Sequence, residues 1–372
     1  MQDDGIKILT RLSYATPFLY LDLARVEQAY RNFTEFMPNV RVHYAMKCNP
    51  AEGILQRLQA IGSSFEIASF TELCALMRIG VHPRDVIFSN PVKVPADIRN
   101  AHNAGLDRFS FDSRAELDKL AHYAPGARAF VRIQTVAADS TVPSEGKFGI
   151  APNKALELMG YAVKLGLKPY GIAFHVGSQM VRARAWEEPI RASGALMREL
   201  QKRDIFIEML DMGGGFPAAH GGTIPTLATF ATVIKRAVKQ HLPYPAQLVI
   251  EPGRGLVGNA GVMVATVIGL AERANGNWAH LDVGAFNGMM EALESQNNLH
   301  FPLADSKNSR KKQRFNLTGP SCDSQDTIMF NVELSHNLTV GDKVFIGTAG
   351  AYTTSYASRF NGFEIPGVYY AT

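Results

Sequence analysis

The chain has 372 residues, 46% hydrophobic and 19% charged, enough to bury a large core and to make about two domains of ~150 residues each. Its 38 basic and 34 acidic residues leave a net charge of +4, too small a surplus to make nucleic acid or a membrane surface the natural partner. The basic run SKNSRKKQRF (306–315) has no interleaved aromatics and reads as a solvated loop, and no apolar run approaches the ~20 residues of a membrane span.

In chain order, MQDDGIKILTRLS carries acidic residues where a secretion signal carries basic ones, so the expected location is the cytoplasm. TPFLYLD suits either a strand or a linker. DLARVEQAYRNFTEFM (22–37) has an Asp22 N-cap and helical apolar spacing. VRVHYAMKCNP (40–50) is strand-like up to Lys47 and is stopped by Cys48-Asn49-Pro50. Further strands are expected at 63–69, 85–90, 108–113, 127–133, 171–177, 208–214 and 247–253, with amphipathic helices at 51–62, 71–80, 113–124, 153–166 and 226–242 among the segments between them. Beyond Glu251 the runs GVMVATVIGLAER, WAHLDVG, RFNLTG, TIMFNVEL and DKVFIGTAG are short, β-rich and broken by Gly and Asn.

One helix followed by eight strands with helices between them predicts an α/β fold, a (β/α)8 barrel over 22–255, followed by a β domain over 256–372 that takes in residues 1–21. In such a barrel the reactive groups gather at the C-terminal strand ends, where Lys47, Glu66, Asp112, Arg132, His175, the glycines at 213–215 and Glu251 fall. Asp112 is read as a structural hydrogen-bonding group. Cys48, Cys74 and Cys322 are too scattered for a disulfide framework or a zinc site, and no metal is expected.

A lysine ending one strand, glycines after another, a histidine and a closing acid together suit a cofactor with an aldehyde, a ring and a phosphate. Pyridoxal phosphate has these parts: lysine for a Schiff base, close backbone N–H groups for the phosphate, and an acid for the ring nitrogen. GLVGNAG (255–261) has the wrong spacing and context for a dinucleotide loop.

The ordered motifs YAMKCNP, FHVGSQ, LDMGGGFP, EPGRG, GPSCDSQD and GAYTTSYASRFNGF resemble those of the alanine-racemase-fold, pyridoxal-phosphate-dependent basic amino acid decarboxylases, most closely the ornithine decarboxylases. The resemblance implies Lys47 as Schiff-base lysine, His175 as the imidazole stacked on the ring, and Glu251 as partner of the ring nitrogen. It implies phosphate contacts from Ser178, Gly213, Gly214, Gly215, Arg254 and Tyr352, with Glu66 and Arg132 completing the cofactor-binding set. A carboxylate beside that nitrogen keeps it protonated, so electrons left by a breaking Cα–carboxylate bond can flow into the ring. Racemases of this fold place an arginine there.

The resemblance further implies a homodimer with shared sites, GPSCDSQD arriving from the partner. Cys322 would then control protonation at Cα and Asp323 would bind the distal ammonium, with Phe360 also on the substrate side. Two departures bear on the substrate. Glu291-Ala292 stands where many ornithine decarboxylases carry Tyr-Asp, which makes Glu291 a second candidate for the substrate amine, and Glu66 replaces a common aspartate. The expected reaction is decarboxylation of ornithine to putrescine, within polyamine biosynthesis. Lysine is the first alternative, arginine or a carboxylated polyamine comes after it, and a racemase or a catalytically dead regulatory homologue is further off.

Overall fold

The computed structural model describes residues 9–135 and 146–371. The chain forms two compact units, one comprising Glu27–Pro217 and Pro225–Gly253, the other Met1–Val26, Ala218–Ile224 and Arg254–Thr372. After a short strand β1 (Phe18–Leu21), the first unit is built on β2 (Val40–Ala45), β3 (Ser64–Ile67), β4 (Val86–Phe88), β5 (Arg108–Phe111), β6 (Arg128–Arg132), β7 (Lys168–Ala173), β8 (Met209–Asp211) and β9 (Gln247–Ile250). These eight close as a parallel barrel in chain order, β2 pairing β9 from Val40↔Leu248 onward.

Among the described residues the α-helices of nine residues or more are α1 (Leu23–Phe36), α2 (Glu52–Ala60), α3 (Phe70–Arg78), α4 (Pro95–Asn103), α5 (Arg114–Tyr123), α6 (Pro152–Lys164), α7 (Glu187–Gln201) and α8 (Leu227–His241). Every residue of β3, β4 and β5 is buried, as expected of parallel strands covered on both faces, including the polar Ser64, Glu66, Arg108 and Ser110. Helix starts are capped locally. Ser69, Ser113 and Thr226 accept the backbone N–H three residues on at 3.2–3.3 Å, and α6 opens with Pro152, whose missing N–H costs nothing there.

The barrel strands end earlier than the sequence expectation, and two of these ends bear directly on the site. β2 stops at Ala45, and Lys47 sits in a 3-10 turn, Met46–Cys48; β7 stops at Ala173, so His175 lies in the following loop. Lys47 and His175 thus come from the first turn beyond their strands, while Glu66, Arg132 and Asp211 lie within theirs.

In the second unit the strands are β10 (Gly261–Arg273), β11 (Gly276–Leu281), β12 (Leu303–Asp305), β13 (Lys312–Thr318), β14 (Thr327–Ser335), β15 (Lys343–Gly347) and β16 (Gly367–Tyr370). Their order is β12-β15-β10-β11-β13-β14, with β1 held between β10 and β16. The opening segment that suited a strand or a linker is therefore a strand of this sheet, with Phe18 packed among Leu9, Val264 and Phe345. The basic run is not wholly a loop either. Lys312 and Arg314 lie on the exposed side of β13, and Arg314 faces Glu333 of β14. Among the described residues no helix is long and apolar enough to cross a membrane.

Candidate active site

The turn after β2 brings the Lys47 ammonium to 3.5 Å from Glu66 Oε2 of β3. Glu66 is buried, while Lys47 keeps half of its side-chain surface open. The neighbouring Glu66 charge raises the lysine pKa above its ordinary value, against desolvation; burial raises that of Glu66. Ser89, just past β4, donates to Glu66 Oε1 at 3.3 Å and holds its carboxylate in place.

Two more acids close the ring of strand ends. Asp211, the last residue of β8, is fully buried and accepts the Gly213 N–H at 2.9 Å. Glu251 follows β9. Burial pushes Asp211 up to about 6 and Glu251 up to about 8, the Asp211 charge adding to the effect on Glu251. Arg132, at the end of β6, has its guanidinium 5.3 Å from the Phe148 ring, and His175 is pushed down to about 3 by burial, helped by the positive charges of Arg132 and Lys47. The imidazole is therefore neutral at physiological pH. Glu66, Asp211 and Glu251, with Glu72 and Asp112 nearby, outnumber the two cations Lys47 and Arg132. A surplus acid in a low-dielectric site retains a proton, in line with the values of Asp211 and Glu251.

The triple glycine has a packing cause. A side chain at Gly213, with φ +65, would run into the Phe174 carbonyl; one at Gly214 would lie 2.5 Å from the Glu251 carbonyl oxygen; one at Gly215, with φ +98, would strike the Gly177 carbonyl. Backbone bonds Glu251 N–H to Gly213 O and Met180 N–H to Gly215 O, each 2.9 Å, fasten the loop to the segments after β9 and β7. Gly213 gives its own N–H to Asp211, which holds the first turn of the loop. Ser178 lies in the segment after β7, and Asp112 plays its expected structural part, accepting the Gly149 N–H at 2.9 Å.

The remaining sequence-derived residues lie in the other unit. Arg254 is buried and paired with Glu291, with Tyr352 and His220 around its guanidinium. Glu291, expected to face the substrate, is thus engaged by an arginine. Cys322 and Asp323 are exposed on the loop before β14; Cys322 Sγ is 3.9 Å from Asn361 Oδ1, and Asp323 accepts the Gln325 N–H at 2.8 Å. Phe360 is 42% exposed, its ring 4.9 Å from that of Phe286. Asp211, Ser89 and His220 were missed in the sequence. Only Asp211 carried a signal, an acid ending an apolar run just as Glu251 does.

The barrel residues fit pyridoxal phosphate. Glu251 Oε1 is buried and, among the described residues, has no hydrogen-bond partner, which suits the N–H of a protonated pyridine, while Lys47 offers an accessible amine for the aldehyde. An amine and an acid so placed on a closed (β/α)8 barrel define a cofactor-dependent lyase or isomerase. The chain belongs to the family of pyridoxal-dependent decarboxylases, residues 23–258 matching its pyridoxal binding domain. It is a pyridoxal-phosphate-dependent carboxy-lyase.

Among its relatives, the lysine/ornithine decarboxylase of Selenomonas ruminantium is 36% identical over 355 residues, 94% of this chain and 88% of the relative. The crystal structure of Vibrio vulnificus lysine/ornithine decarboxylase complexed with cadaverine superposes with a TM-score of 0.92 at 31% identity, covering 100% of both chains. That of the Paramecium bursaria Chlorella virus arginine decarboxylase bound to agmatine gives 0.91 at 28%, covering 98% of this chain and 100% of the other.

Proposed function

We propose that the chain decarboxylates a basic diamino acid, ornithine to putrescine first and lysine second, as a cytoplasmic homodimer with shared sites. The observation that carries decarboxylation is the buried, unpartnered oxygen of Glu251. The proton that Glu251 retains can pass to the ring nitrogen, where the resulting carboxylate would hold it, whereas an arginine would leave that nitrogen unprotonated. Bound pyridoxal phosphate supplies the electron sink for the bond to the departing carboxylate.

The chain's own residues do the rest. Lys47 anchors the cofactor through its amine, with Glu66 supplying the counter-charge. Neutral His175 would stack on the ring, and Asp211 accepts the Gly213 N–H so that the glycine loop keeps its shape. Arg254, Tyr352, Ser178 and the glycine loop meet the phosphate. Cys322, from the partner subunit, returns a proton to Cα, and Asp323 pairs with the distal ammonium, a contact that discriminates strongly against neutral side chains.

Chain length is the open axis of specificity. The named relatives act on lysine, ornithine or arginine. Ala292 at the place of the second family acid, and Glu291 already paired with Arg254, leave Asp323 as the acid for the amine in this reading. The test is carbon dioxide release from L-ornithine, L-lysine, L-arginine and their D-enantiomers with added pyridoxal phosphate. Ornithine should give the highest kcat/KM and lysine the next. Loss of optical activity without gas release would replace this reading with racemisation.

A further inference from the structure

Glu291 stands where the sequence suggests an acid for the substrate, yet both of its oxygens face an arginine. Its Oε2 accepts from Arg254 Nη1 at 2.7 Å and its Oε1 accepts from Nη2, and neither side chain is more than 5% exposed. His220 Nε2 is 3.5 Å from the same Nη1, and the guanidinium carbon lies 5.1 Å from the Tyr352 ring centroid. His220 is fixed in turn by Phe301, edge to face at 5.0 Å.

A guanidinium can present two parallel N–H bonds along either of two edges, Nη1/Nη2 or Nε/Nη2. Glu291 takes the first edge. The carboxylate and the Tyr352 ring together fix the plane and heading of the guanidinium. The carboxylate also supplies the counter-charge without which a buried arginine is costly.

We propose that Glu291 is a positioning residue for the cofactor phosphate, acting through Arg254, and that it makes no contact with the amine of the substrate. This rests on the reading of Arg254 as a phosphate contact. A phosphate dianion meeting a guanidinium already held in plane loses less conformational freedom on binding than one meeting a loose side chain.

Comparing pyridoxal phosphate with pyridoxal, which lacks the phosphate, tests the inference on the apoprotein. Both are followed by their visible absorption on binding to Lys47, and the ratio of their affinities isolates the contribution of the phosphate. Glu291→Ala should lower that ratio about tenfold, or ~1.4 kcal/mol. Glu291→Gln, which keeps the shape and one acceptor, should lower it less. In an Arg254→Ala background the Glu291→Ala change should have no further effect, since the two residues act as one unit. KM for the amino acid at saturating cofactor should stay within about twofold of wild type, because uniform substrate binding is untouched.

An unchanged ratio overturns the proposal, as does a fall that persists without Arg254, or a large rise in KM. A wild type that binds pyridoxal as tightly as pyridoxal phosphate would bring down the phosphate reading of Arg254 together with the proposal. A wild-type preference that is indifferent to Glu291 would remove the proposal alone.

Discussion

At the level of single residues, the site is a problem of proton placement. Glu251 rises from 4.5 to about 8 in the folded protein, so between those values the native state binds more protons than the unfolded chain does. Its contribution to stability is whole below pH 4.5 and is lost as the pH climbs through 8, at no more than ~1.4 kcal/mol per pH unit. His175 has the opposite sign. Depressed from 6.5 to about 3, it favours the fold increasingly as pH rises through that window. Glu251→Gln removes one contribution and keeps the other. Thermal unfolding of the apoprotein should show wild type losing stability relative to this variant between pH 5 and 8, whereas parallel curves would mean that Glu251 is charged throughout. Lys47 and Glu251 were legible in the sequence because a charged residue closing an apolar run needs a reason to be there. Asp211 met the same criterion but stood beside three glycines that claimed the explanation. The role of Glu291 was illegible, because its partner lies 37 residues away in the chain and is fixed only by folding.

At the level of elements, the barrel was legible because parallel strands buried on both faces and amphipathic helices differ in period. Helices α4 and α7 were not among the stretches named from the sequence; like α2 and α6, which were, neither has a side chain accepting a hydrogen bond at its N-cap. Strand ends were read too long at Lys47 and His175, since a side chain that serves the site does not show in sequence whether its backbone still pairs. The glycine loop was read as a phosphate cradle, and its tight packing against three neighbouring carbonyls could not be seen without the fold. That packing predicts a contrast. Gly214→Ala should destabilise by roughly 1–3 kcal/mol, as overpacking does, and weaken cofactor binding. Gly160→Ala, inside α6 with nothing within 4 Å of the added methyl, should be stabilising by about 0.5–1 kcal/mol. Urea unfolding separates the two, and equal effects would deny the glycine loop its steric role.

At the level of the whole molecule, the proposed dimer combines Lys47 of one chain with Cys322 and Asp323 of the other. The loop that carries the latter pair is well anchored: buried Asp326 accepts the Ala285 N–H at 2.7 Å and the Ser321 N–H at 3.0 Å, so the exposed residues are presented on a firm base. Mixing Lys47→Ala with Asp323→Ala, each inactive alone, should restore roughly one quarter of wild-type activity, because half of randomly exchanged dimers are mixed and each holds one intact site. No recovery, with exchange verified by a tagged chain, would place the site within one subunit. The position of β1 has a further consequence, in time. Its neighbours are β10 and β16, at Phe18↔Val264 and Phe18↔Gly367, so this apolar strand leaves the ribosome long before either partner exists. At about 5–20 residues per second, the wait for β10 alone is on the order of ten to fifty seconds. The barrel strands are all translated within that interval. A chain stalled before β10 therefore carries a bare, apolar strand edge, and it is at this stage of synthesis that the protein is most exposed to capture by chaperones or by other nascent chains.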